Sequence, residues 1–222
     1  MTRSVSPRGM SSLPLALGLV ALIWLSGLAG HLTPIQEWPA LALYVIGSLG
    51  LAIYLGLKNG WDSIWLSGGQ LRRSLFWGGI AGLVLFVMDI TNTVIYYKNG
   101  GAPMVEMQVL LVHRSLLYLF PVLILAEEFL WRGVLFSAMI ERGVNRHLTV
   151  ALTTLLYALN HFAVAPVGML ERAMMAMMAF PIGILGGYLV LKTRNVWGSV
   201  LVHMITMISM VLDIFVIPQL LF

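Results

Sequence analysis

Residues 116–139 read LLYLFPVLILAEEFLWRGVLFSAM, an apolar run with Glu127, Glu128 and Arg132 in its interior. A bilayer's hydrocarbon core is crossed by about 20 helical residues, so the run reads as a transmembrane helix. Ionised side chains at the bilayer centre cost about 2.5 to 3.5 kcal/mol each on insertion scales. Three of them at one spot point to function.

The rest of the chain agrees with that reading. Of its 222 residues 59% are hydrophobic and only 10% charged, and the mean hydropathy is +0.92. These values lie outside the soluble globular class. Apolar stretches at 13–32, 39–57, 75–97, 116–139, 147–166, 173–191 and 197–217 predict an all-α polytopic helix bundle of about seven transmembrane helices. They form one integral membrane domain over residues 1–222. An eighth crossing stays open, and the span with Pro121 can be kinked or begin as a separate short segment. The N-terminal apolar stretch is too long for the h-region of a signal peptide and reads as a retained first helix.

Basic residues concentrate in cytoplasmic loops and so give an independent test of the count. With the N-terminus inside, Arg3, Arg8, Lys58, Arg72, Arg73, Arg142, Arg146, Lys192 and Arg194 are cytoplasmic, and Lys98, Arg114 and Arg172 fall outside. This bias predicts a multi-pass protein of the cell membrane with its N-terminus cytoplasmic and its C-terminus outside. It accounts for the net charge of +4, and no basic run with interleaved aromatics suggests a nucleic-acid partner. The lipid bilayer is the expected surrounding; oligomeric state is not readable. The absence of cysteine excludes disulfides, thiolate metal sites and a cysteine nucleophile.

Glu128 and Arg132 are four positions apart, which on a helix places them on one face, so Arg132 can neutralise Glu128. Glu127 is turned about 100° away and has no partner on its own helix. One reading is a structural ion pair with a spare glutamate facing a polar cavity. The other makes Glu127 a general base supported by the Glu128 and Arg132 pair. Two of the five histidines, His161 and His203, lie inside later helices; His31, His113 and His147 lie near helix ends.

These residues carry a resemblance. AEEFLWRG resembles the EExxxR signature of the CPBP family, the CAAX-protease and bacteriocin-processing (Abi) group of intramembrane proteases. Tyr157 and His161 are similar to its FxxxH motif, and His203 begins the third motif, HxxxN or HxxxD. Order and spacing agree over about residues 120 to 210, with 110–217 as the catalytic core. The resemblance implies an endopeptidase that hydrolyses a peptide bond in a hydrophobic or lipid-modified protein substrate at the membrane. Glu127 assisted by His161 would activate water, and His203 would stabilise the oxyanion. Prenyl-protein processing, bacteriocin maturation or self-immunity, and removal of C-terminal sorting anchors all occur in the family.

Two positions depart from the pattern. Tyr157 keeps the aromatic body of the usual Phe and adds a hydroxyl. Met207 stands where the family has Asn or Asp, and its thioether cannot donate a hydrogen bond. Thr206 and Asn160 are possible substitutes. No cofactor is expected. The alternative is zinc, held by Glu127, His161 and His203, although no HExxH helix is present and adjacent glutamates diverge on a regular helix.

Two other functions compete: a non-catalytic scaffold or bacteriocin self-immunity protein retaining the fold, which Met207 favours, and a proton-coupled transporter using Asp89, Glu127 and the histidines. Asp89 reads first as a polar contact inside the bundle, and Asp213 as a group near the outer interface. The methionine-rich run 172–187 reads as adaptable packing. Gly78 with Gly82, and Gly183 with Gly187, form small-xxx-small patterns that let helices approach closely.

Overall fold

The computed structural model describes residues 12–221; Arg3 and Arg8 lie outside them. The chain folds as α1 (Ser12–His31), α2 (Trp38–Asn59), α3 (Leu71–Lys98), α4 (Val105–His113), α5 (Leu116–Glu141), α6 (Arg146–Val164), α7 (Met169–Thr193), α8 (Trp197–Phe215) and a terminal turn α9 (Ile217–Leu221). Six of these, α1, α2, α3, α6, α7 and α8, are long and apolar enough to cross a membrane; α4 and α5, bent by 95° at their junction, make a seventh if taken as one span. No strand occurs among the described residues. The expected all-α membrane bundle is what forms.

Apolar side chains ring the outside, where lipid replaces water: Leu22, Leu25 and Leu28 of α1 and Leu83, Val84 and Val87 of α3 are all exposed. The inside is mixed. Trp131, Leu135 and Phe136 of α5 are fully buried, and the Trp131 indole donates to the Tyr44 hydroxyl of α2. In an apolar surrounding a buried N–H needs such an acceptor. Helix α5 is therefore the hub of the core.

The small-residue patterns act as expected. A Cβ added at Gly78 would lie 2.4 Å from the Gly198 carbonyl oxygen, and one at Gly198 would lie 2.4 Å from that of Ser74. Thus α3 and α8 meet backbone to backbone, and only glycine leaves room at the crossing. Gly183 and Gly187 seat α7 against Thr154 and Val150 of α6 in the same way, with added Cβ contacts of 2.6 and 3.1 Å.

Two boundaries depart from expectation. Helix α7 begins at Met169, so Arg172 belongs to its first turn rather than to an outer loop. Its charge is neutralised there by Glu37, at 2.6 Å, and its guanidinium also donates to the carbonyls of Val167 and Phe162. Glu171 beside it accepts from the backbone N–H groups of Glu106 and Met107 at the start of α4. The second departure is α4 itself, a helix within what reads as the connection 98–115. Ser115, at φ 58° in the left-handed region, turns the chain into α5, which then runs unbroken past Pro121.

Candidate active site

The polar centre starts from an irregularity in α5. After Glu128 the helix widens into a π turn over Phe129–Leu135, a distortion frequent at functional sites. Arg132 lies in this turn, fully buried, with its Nε 3.6 Å from Glu128 Oε2. That is an ion pair too long for a hydrogen bond, and none of the three guanidinium nitrogens makes one. The guanidinium instead lies over the Tyr157 ring, 4.5 Å from its centre, a cation–π contact.

Both glutamates reach the same histidine. His203 Nδ1 is 3.0 Å from Glu128 Oε1, and its Nε2 is 3.5 Å from Glu127 Oε2. Adjacent carboxylates that diverge on the helix can do this because the two imidazole nitrogens face opposite ways. Glu128, which cannot donate when ionised, fixes Nδ1 as the protonated nitrogen and also accepts from the Ser199 hydroxyl at 2.6 Å. Ser199 is one turn before His203, on the same face of α8. A Cβ at position 186 would lie 2.3 Å from Ser199 Oγ, so a side chain there would push the hydroxyl off Glu128.

The Tyr157 hydroxyl completes a triangle. It lies 3.4 Å from Glu127 Oε2 and 3.3 Å from His203 Nε2, so with the 3.5 Å third side all three edges exceed an ordinary hydrogen-bond length. Three polar atoms cluster without closing on each other, and a substrate oxygen seated above their plane can reach all three. His161 is close but separate: its Nδ1 lies 3.1 Å from the Tyr157 backbone carbonyl and must be the protonated nitrogen there, which makes Nε2 the lone-pair nitrogen of the neutral ring. Its ring sits edge-on to Tyr157 at 5.0 Å.

All four side chains, Glu127, Tyr157, His161 and His203, line one cavity of about 150 Å³. Met207 lines it too, at the place of the missing Asn or Asp, and so does Thr206. Thr206 donates its hydroxyl proton back to the His203 carbonyl. Asn160 is not in the lining; its Oδ1 accepts from the Trp24 indole at 3.0 Å. Of the two proposed substitutes for the family's amide only Thr206 is at hand. Among the described residues no three His, Cys, Asp or Glu side chains are grouped so as to hold one ion.

Sequence reasoning missed Ser199 and the central place of the Tyr157 hydroxyl. The four-residue spacing from Ser199 to His203 was a usable signal for the first. The second is set by how α6 is rotated against α5 and α8, and no spacing within one helix reveals it.

Residues 109–209 match the family model described as type II CAAX prenyl endopeptidase Rce1-like. That match bears out the CPBP resemblance. The matched segment is similar to that family of membrane proteases, and all of Glu127, Glu128, Arg132, Tyr157, His161 and His203 fall within it. No curated protein and no solved structure matches the chain.

Proposed function

We propose that the protein is an intramembrane endopeptidase in which Glu127 activates water against a peptide bond of a hydrophobic or lipid-modified protein substrate, without a metal. The triangle of Glu127, Tyr157 and His203 facing a buried cavity carries this reading. Glu127 takes a proton from water as the water oxygen bonds to the scissile carbonyl carbon, a step that needs the carboxylate within hydrogen-bond reach. His161, with Nε2 as an acceptor, orients that water. The Tyr157 hydroxyl and His203, which donates from Nε2 as an imidazolium whose Nδ1–H stays on Glu128, face the carbonyl oxygen as it gains negative charge, and one such donor is worth about 2.7 to 4 kcal/mol. The proton held by Glu127 then passes to the departing amine nitrogen as the C–N bond breaks. Glu128, Arg132 and Ser199 touch no substrate and hold His203 in place.

The family description supports a substrate near a lipid-modified C-terminus, and the positive-inside bias supports a cell-membrane protein with a cytoplasmic N-terminus. The test is cleavage of membrane-anchored peptides, prenylated and unmodified, by purified protein in detergent, comparing wild type, Glu127→Ala and Glu127→Gln with and without a strong chelator. Cleavage by wild type alone, indifferent to chelator, is the expected result. Loss of activity on chelation with recovery on adding zinc would overturn the metal-free mechanism. Cleavage that survives in both variants would remove Glu127 from the centre, and a folded wild type inert on every substrate would favour the scaffold reading.

A further inference from the structure

The cavity has a second polar end that the hydrolytic mechanism does not use. His203, Thr206, Met207, Met210 and Asp213 follow one stripe of α8 and all line it, so Asp213, ten residues beyond His203, lies about 15 Å along the helix at 1.5 Å per residue. Asp89 and Thr93 of α3 line the same end. The Asp213 carboxyl lies against Asp89 and Thr93, and Asp89 accepts from the Ser209 hydroxyl at 2.6 Å. Asp213 is only 3% exposed, yet its Oδ1 has no hydrogen-bond partner.

A purely structural role fits poorly. The α3 and α8 backbones already touch at Gly78 and Gly198, so no carboxyl pair is needed to join them. Ionisable residues inside a membrane mark functional sites by default, and no lysine or arginine is among the residues lining this cavity to neutralise the two carboxyls. Between the two ends the wall is largely methionine, with Met174, Met175, Met178 and Met210 among it, a surface that adapts to apolar chains of varied shape.

The geometry points to a specificity subsite: Asp89 and Asp213 receive the cationic side chain of a lysine or arginine in the substrate, while the methionine wall holds the apolar residues between it and the scissile bond. This rests on the proteolytic reading for the position of the scissile bond. In an extended peptide at about 3.3 to 3.6 Å per residue, the basic residue falls four or five positions from that bond. The cation supplies the counter-charge that the fold omits.

Binding can be read apart from cleavage. The probes are fluorescein-labelled peptides of about twelve residues, enough to span the cavity when extended. Each is apolar except for one lysine moved through successive positions, and the parent carries norleucine throughout. Anisotropy is measured against the Glu127→Gln protein in detergent, and against that protein carrying Asp89→Asn, Asp213→Asn or both. The expected result is one lysine register that binds at least about tenfold more tightly than the parent. That preference falls below about twofold in the Asn variants, with parent affinity unchanged.

A flat register profile, no binding of any probe, or a preference that survives both Asn substitutions in a protein of unaltered thermal stability would overturn the subsite. If the preference is present but wild type cleaves none of the peptides, the subsite stands and the proteolytic reading is the one that fails.

Discussion

The two carboxyl pairs of this cavity are built in opposite ways. Glu127 and Glu128 are adjacent in sequence and surrounded by counter-groups: Arg132 at 3.6 Å and both nitrogens of His203 at 3.0 and 3.5 Å. Asp89 and Asp213 come from helices far apart in the chain and meet hydroxyl groups and each other, with no lysine or arginine in the lining. On the proposed reading, charge already neutralised inside the fold belongs to the hydrolytic machinery, whereas the carboxyl pair without a lysine or arginine beside it is a place for something brought from outside.

The largest effect that could break this contrast belongs to Glu127. Glu127→Gln keeps shape and removes the base, so turnover of any cleaved peptide should fall by about 10² to 10⁴; a smaller loss in a discontinuous peptide assay would place the base elsewhere. Next is Glu128→Ala, which strips the buried Arg132 of its ion-pair partner at 3.6 Å. Breaking a buried pair in this way costs about 3 to 5 kcal/mol, read as a lower melting temperature in detergent together with lost activity. An unchanged melting temperature would mean that the pair is not a structural support.

Tyr157→Phe restores the family's usual side chain and removes one corner of the triangle. Turnover should drop by about 10², in line with the loss of one oxyanion donor, while KM stays near its wild-type value. Full activity in the variant would reduce Tyr157 to a packing residue. Gly78→Ala pushes a methyl into the Gly198 backbone and should destabilise by about 1 to 3 kcal/mol, the usual range for overpacking. The smallest effect sharpens the comparison most: Asp213→Asn should alter cleavage of an all-apolar peptide by less than about twofold, since such a peptide brings no cation for the carboxyl pair to receive.

Much of this was legible in the sequence because membrane helices declare themselves by length and because intramembrane charge is rare. The spans came within a few residues of the helices, and EExxxR with the two histidines named most of the polar centre. What stayed hidden depends on contacts between helices. The start of α7 was misplaced because Arg172 reads as a loop charge until Glu37, just before α2, is seen beside it. Helix α4 was missed because it is short and held by Glu171 from outside. The bond from Trp24 to Asn160, which removes Asn160 from the site, likewise follows from helix rotation alone.

The π turn over Phe129–Leu135 also sets the phase of α5. A π turn amounts to one residue more than a regular helix would hold, and each residue advances a helix by about 100°. The helix before the turn and the helix after it are thus clocked differently, and Glu127 faces the cavity with Glu128 turned to His203 behind it, while Phe136 faces the core. Deleting one residue within 129–135 would let the hydrogen-bond ladder close into ordinary α-helix, so the backbone itself would gain regularity. The same deletion would swing either the glutamates or everything beyond them by more than a quarter-turn. In this protein the locally smoother helix is the one that disconnects the reactive groups from their cavity.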